Sequence, residues 1–373
     1  MQPFRARARL AGMFVRSSLA GAFVAGVMLI GASVPGSARA TAPLAPIEVR
    51  VVVVANFETG ADTGDAPGEF QFWAERDHLN ERVPVRGAPG VVRRNASGLY
   101  GIVLRDGITD LAAFVLDPRF DFRKTYWLFT GISGVDPRAA SVGSAAWARW
   151  VVDGDALREI DDRTIPAGWP YGLWAIGAAR PNTLPDNPNH YGSVTSVAEL
   201  TKAYPLNAAL ANWAFARTRR IALPDSPVLR ARRAAWRGFP QAMRPPFVLE
   251  GETLGSLRYW HGAPRTRWAE DWVKLWTQGR GTFVMTNEES QTNQKAMRVF
   301  ASQGLVDSRR ILVLRTASNF SQPPPGIPVT ASIGDEAPGQ IAGFDSNERV
   351  GAPVLDELLA HWDRYANAIP GAP

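Results

Sequence analysis

Cysteine is absent from the 373 residues. That excludes disulfides, thiol nucleophiles and cysteine-ligated zinc together. Histidine is scarce: only His78, His190, His261 and His361 occur, and none stands at metal-ligand spacing. There is no HExxH, no Walker pattern and no GxGxxG following a strand-like run, which removes zincin, P-loop and dinucleotide chemistry. Gly131-Ile132-Ser133-Gly134 is not a GxSxG nucleophile elbow, because its last glycine comes one residue early. Lysine is nearly missing too, at 124, 202, 274 and 295 only, so the cations are almost all arginine.

An excess of positive charge is also missing once the N-terminus is set aside. The chain has 41 Lys+Arg against 35 Asp+Glu, but residues 1–40 hold five Arg and no acid, leaving 36 against 35. A nearly neutral chain argues against nucleic acid as a partner and against an anionic membrane surface. The same forty residues read as an export signal. Arg5, Arg7, Arg9 and Arg16 form a basic leader, Leu19 to Val34 is uncharged and apolar, and Ala38 and Ala40 offer the small residues of a cleavage site. The competing reading is a membrane anchor, but the apolar run has sixteen residues, and a span needs about twenty. The expectation is a cleaved signal over 1–40 and a single domain over 41–373 that works in the periplasm. No later stretch approaches spanning length. Any membrane contact would therefore pass through uncleaved signal or an unidentified transporter partner.

What is present is a 46% hydrophobic composition with 13 Trp, ample for a packed core. Glu48 to Ala55 (EVRVVVVA), Leu99 to Leu104, Thr125 to Thr130, Phe247 to Gly251, Thr282 to Thr286 and Arg310 to Ala317 read as strands, several of them buried. Thr59 to Gly68 reads as a loop and Trp169 to Asn189 as a long irregular excursion. Asp153-Gly154 between Trp147–Val152 and Ala156–Ile160 reads as a hairpin turn. Helices are expected over Phe70–Leu79, Thr109–Leu116, after Pro205 with Leu206, Leu210 and Trp213 on one face, and over Glu288–Gln303 with Met297, Val299 and Phe300 packed. Ser196 and Glu199 form a capping box, and Pro353 is expected to open a last helix. Strands alternating with helices make the fold class α/β.

Three strands run into glycine or polar residues at their C-terminal ends, the edge where open α/β sheets bind ligands. After Thr130 comes a glycine turn, Gly131 to Gly134, which either is an ordinary tight turn or lets backbone N–H groups approach an anion or sugar oxygen. After Thr286 come Asn287, Glu288 and Glu289 at a helix start, where a carboxylate is favoured by the dipole or accepts sugar hydroxyls. After Leu314 comes Arg315 to Phe320, where Asn319 is a turn residue or a hydrogen-bond partner for a heteroaromatic base. Glu58, after the first strand, is a candidate base or a loop cap. Tyr259 and Trp260 are aromatics that stack on a flat ligand or belong to the core.

At these residues the chain resembles the purine nucleoside permease family. The segments that carry the resemblance are VVVVANFETGADTGDAPGEFQFW, TYWLFTGISGVDPRAASVGSAAWARWVVDGDALREID, GETLGSLRYWHG, FVMTNEESQ and ILVLRTASNFS, across nearly all of 41–373. The family in turn resembles, more weakly, nucleoside phosphorylases and nucleosidases. The resemblance implies a three-layer α/β/α, nucleoside phosphorylase-like domain around a mixed, partly closed sheet. It implies that Glu288, with Asn287, holds ribose hydroxyls, that Asn319 bonds the N7 side of a purine, and that Gly131 and Ser133 line an anion or nucleophile pocket. Glu58 would orient water, and Tyr259 and Trp260 would flank the ligand. Asn319 stands where nucleosidases carry Asp, and Val135 replaces the second glycine of a GG pair.

The expected function is a periplasmic purine nucleoside-binding protein taking part in uptake. An exported nucleosidase or phosphorylase is the alternative, and a scavenger of some non-nucleoside ligand on the same fold is a second. No cofactor and no metal are expected, with phosphate an alternative to water as co-substrate.

Overall fold

Four consecutive valines set the centre of the molecule. In the computed structural model, which describes residues 45–185, 202–334 and 337–371, the strand Val51–Ala55 is buried along its whole length. Its residues alternate between two cores. Val51, Val53 and Ala55 pack with Leu210, Val350, Val354 and Leu358 from the helices Ala208–Thr218 and Ala337–Ala360. Val52 and Val54 pack with Leu111, Phe114, Met297 and Phe300 from the helices Ile108–Val115 and Ser290–Ser302. A strand buried on both faces needs helices on both sides of its sheet. The architecture is therefore mixed α/β with helices above and below the sheet.

Among the described residues the main sheet has 12 strands. One wing is open: Val51–Ala55 pairs with Leu99–Val103, and Val92–Arg94 and Glu81–Arg82 follow. The other part closes on itself. Tyr126–Val135 pairs with Ile311–Phe320, which reaches Ala145–Trp147. Ala145–Trp147 and Trp150–Asp153 run beside Val248–Glu250 and Glu252–Gly255. Glu252–Gly255 pairs with Phe283–Asn287, and that strand returns to Tyr126–Val135. The circuit makes the sheet partly closed, and parallel and antiparallel pairs mix within it.

Several local expectations need correction. There is no turn at Gly131 to Gly134: Tyr126–Val135 is one ten-residue strand. Pairing with Ile311–Phe320 runs from Trp127 through Val135, with a single irregularity between Ala317 and Asn319, and this outweighs the local freedom of the glycines. Asp153-Gly154 is no hairpin. Leu157–Glu159 pairs instead with Leu173–Ala175, and the Gly154 N–H donates to the Gly255 carbonyl at 2.7 Å. Pro353 lies inside the helix Ala337–Ala360 rather than opening one. Val299 faces solvent at 49% exposure while Met297 and Phe300 are buried. The export signal over 1–40, His190 and the Ser196–Glu199 capping box fall outside the described residues.

Candidate functional site

The Tyr126–Val135 strand shares one edge between two neighbours that do not meet. Val51–Ala55 pairs with it only as far as Phe129. Phe283–Asn287 touches it only at Val135. Between those contacts the edge at Ile132, Ser133 and Gly134 faces a crevice. The crevice walls come from the ends of three strands and from the 258–260 loop, so residues far apart in sequence converge there. Ser133, Asn287, Glu288, Asn319, Tyr259 and Trp260, all singled out in the sequence, line it.

Gly131 and Glu58 do not line it. Gly131 lies just behind the floor, where a Cβ would collide with Arg315 Nη1 and Glu69 Oε1. Its service is to leave room for those two groups. Glu58 is spent on the backbone. Its carboxylate accepts from the N–H groups of Thr59 at 2.8 Å, Phe70 at 2.7 Å and Gln71 at 2.6 Å, and from Gly68. It ties the loop to the start of the helix Gln71–Arg76, so of the two readings its sequence position allows, base or loop cap, its contacts are those of the cap.

The carboxyl on the crevice wall is Glu69, which sequence reasoning passed over. It is 2% exposed. Oε1 accepts from the Ile132 N–H at 2.6 Å and Oε2 from the Asn56 N–H at 2.9 Å. Burial pushes its pKa up to about 7; the nearby Glu289 carboxylate adds to the rise, and the Arg315 guanidinium opposes it. Arg315 is buried, donating from Nη2 to Glu289 Oε2 at 2.9 Å and from Nε to Ser290 Oγ at 3.1 Å. A group poised near neutrality can hold or release a proton with little driving force either way. Arg315 is marked in the sequence itself: a charged residue inside the apolar run ILVLRTA has to find a partner. Glu69 carried no such mark, because only the path of its loop brings it to the strand.

Asn287 lines the crevice, but its amide is occupied. Oδ1 accepts from the N–H groups of Glu289 at 3.1 Å and Ser290 at 2.7 Å, and Nδ2 donates to Thr253 Oγ1 at 2.5 Å. It fixes the backbone that presents Glu288. Ser133 Oγ is buried without a hydrogen-bond partner, and the Ser133 carbonyl accepts from Ser318 Oγ at 3.2 Å. Asn319 accepts from Ser318 Oγ at 2.9 Å and donates to Tyr259 Oη at 3.3 Å. Tyr259 is 47% exposed and stands at the mouth. Trp260 belongs mainly to a tryptophan row, its ring 5.9 Å from that of Trp268, and shows the crevice one side. Asp155 anchors this aromatic loop, accepting from Ser256 Oγ at 2.6 Å and the Leu257 N–H at 2.8 Å. Among the described residues no group of side chains could hold a metal ion, and no helix is long and apolar enough to cross a membrane.

The crevice thus combines acceptors for hydroxyl groups, an amide, a half-exposed phenol and a carboxyl titrating near neutrality. A family model described as purine nucleoside permease matches residues 48–370. A probable purine nucleoside permease of Schizosaccharomyces pombe is 27% identical over 259 residues, covering 69% of this chain and 73% of that protein. The purine nucleoside permease of Candida albicans is 26% identical over 260 residues, covering 69% of this chain and 62% of that protein, which is less than two thirds of its length. Among solved structures, the 5′-methylthioadenosine/S-adenosylhomocysteine nucleosidase of Campylobacter jejuni is similar with a TM-score of 0.47 and 10% identity, covering 83% of this chain and 100% of that one.

Proposed function

The chain belongs to the purine nucleoside permease family, and on that premise we propose that it binds purine nucleosides in the crevice and serves their uptake. One observation carries the reading: the diverging strands bring Glu288 and Asn319 to the walls of a single crevice. A nucleoside presents two kinds of surface, a diol that donates hydrogen bonds and a base whose N7 accepts one. A carboxylate answers the first and an amide N–H the second. Asn287 holds the Glu288 backbone in place, and Ser133 Oγ offers a further hydroxyl without a partner. With the export signal expected over 1–40, the working place is the periplasm, and transport requires a separate membrane partner.

A second reading, N-glycosidic cleavage, is favoured by Glu69. In its ionised form it would take a proton from water as the water oxygen bonds to the sugar C1′. The C1′–N9 bond then breaks, its electron pair goes to the base, and the base takes up a proton. Asn319 would steady the charge building near N7. Binding and cleavage are separated by incubating the protein with inosine, adenosine and guanosine, with and without phosphate. Saturable binding without release of free base supports the first reading. Catalytic release of free base replaces it with the second, and the phosphate requirement identifies the nucleophile. No interaction with any of the three overturns both.

A further inference from the structure

Asn319 belongs to the walls of two cavities. The second of them has, among the described residues, no carboxylate in its wall and is bounded by Trp236, Phe320, Gln322, Arg232, His261 and Ser332. Trp236 and Phe320 are buried, with ring centroids 4.0 Å apart. The far wall is joined by His261 Nε2 and Ser332 Oγ, 2.7 Å apart. Among its polar lining residues, which include Arg232 and Asn319, Gln322 offers a buried acceptor. Its side chain is 5% exposed, yet Oε1 has no hydrogen-bond partner. A buried carbonyl oxygen left without a donor is rare in native proteins and calls for a ligand or water to complete it.

The backbone around Gln322 is firmly held. The Ser321 N–H donates to the Val135 carbonyl at 2.9 Å, and the Ser321 carbonyl accepts from the Gly262 N–H at 2.9 Å. The Ser321 and Thr266 hydroxyls lie 2.9 Å apart. An unpaired acceptor on a fixed backbone, beside the packed Trp236–Phe320 pair, suits a heteroaromatic ring that carries a hydrogen on its edge. By contrast, the first crevice offers carboxylates and hydroxyls, which suit a polyhydroxylated ring.

We propose that the second cavity takes the purine base and that Gln322 reads an N–H on the edge of that base, while the sugar lies in the carboxylate crevice and Asn319 stands at the junction. This assignment rests on the nucleoside reading above. It moves the base away from Trp260, whose ring is engaged in the tryptophan row, and makes Gln322 a specificity-determining residue.

The test is calorimetric titration of the full chain with inosine, adenosine and purine riboside. The last has no exocyclic amino group and no N–H on its six-membered ring. Wild type is expected to bind inosine or adenosine about tenfold more tightly than purine riboside. Gln322→Leu, which keeps the bulk but removes the acceptor, is expected to bring the three within about twofold, whereas Gln322→Glu keeps a preference for inosine. An undiminished preference in Gln322→Leu overturns the assignment and leaves nucleoside binding standing. Should Gln322→Leu fail to fold, equal affinity of wild type for inosine and purine riboside overturns it instead. No heat with any nucleoside overturns the nucleoside reading and this assignment together.

Discussion

The two ends of the loop between the Val51–Ala55 strand and the Gln71–Arg76 helix each carry a buried glutamate, and the two have been put to different use. Both are shielded from solvent, Glu58 at 7% and Glu69 at 2% exposed, with Glu69 set deeper among protein atoms. Their partners separate them further. At the Glu58 end, four backbone N–H groups converge on one carboxylate, and they oppose the rise in pKa that burial causes. At the Glu69 end there are only two backbone donors, a like charge on Glu289, and a guanidinium whose nearest carboxylate is Glu289 itself. A buried acid surrounded by the donors of its own loop is architecture. One left short of donors beside a crevice is available for chemistry.

The contrast can be broken most forcefully at the first end. Glu58→Ala leaves buried N–H groups without acceptors and is expected to cost about 3–5 kcal/mol in urea unfolding. A loss under about 1 kcal/mol would show that the loop does not depend on it. Glu69→Gln is expected to act oppositely. The pKa of Glu69 in the folded chain, about 7, lies above its ordinary value of 4.5. The stability it contributes is therefore complete below pH 4.5 and is lost as pH rises through 7. The variant should lack this pH dependence and so gain about 3 kcal/mol on wild type between low pH and the range above 7. Identical pH profiles of melting temperature for the two proteins would refute the raised pKa.

A smaller effect sharpens the contrast on the ligand side. Glu288→Ala is expected to weaken nucleoside binding about thirtyfold while leaving free-base binding unchanged. Asn319→Ala should weaken both nucleoside and free base, by about tenfold. Calorimetry with inosine and hypoxanthine distinguishes the patterns, and equal losses for both ligands in Glu288→Ala would remove it from the sugar.

The centres of the strands were legible because continuous β-branched and apolar runs such as VVVVA and ILVLRTA leave few alternatives. Their ends were not. Gly131, Gly134 and Asn319 have the local chemistry of turns, and only their pairing across two strands keeps them extended. The candidate residues Ser133, Glu288, Asn319 and Tyr259 do gather at one crevice, since ends of neighbouring strands on one side of a sheet converge whatever the details of the turns. That Glu69 rather than Glu58 reaches the crevice depends on the course of a glycine-rich loop, and loop paths are set by contacts that no local pattern records. Asn287 illustrates a milder form of the same limit: it lines the crevice, while its amide is used in holding the backbone.

The crevice opens where strands from opposite halves of the chain leave a shared edge. No part of the molecule smaller than the assembled sheet therefore contains it. Occupancy becomes a gauge of global folding: a ligand at a hundred times its dissociation constant adds about 2.7 kcal/mol to the stability of the whole chain. Hydrogen exchange should then slow together at Val51–Ala55 and at Phe283–Asn287, two segments with no direct pairing, because both must be in place before there is anything to bind.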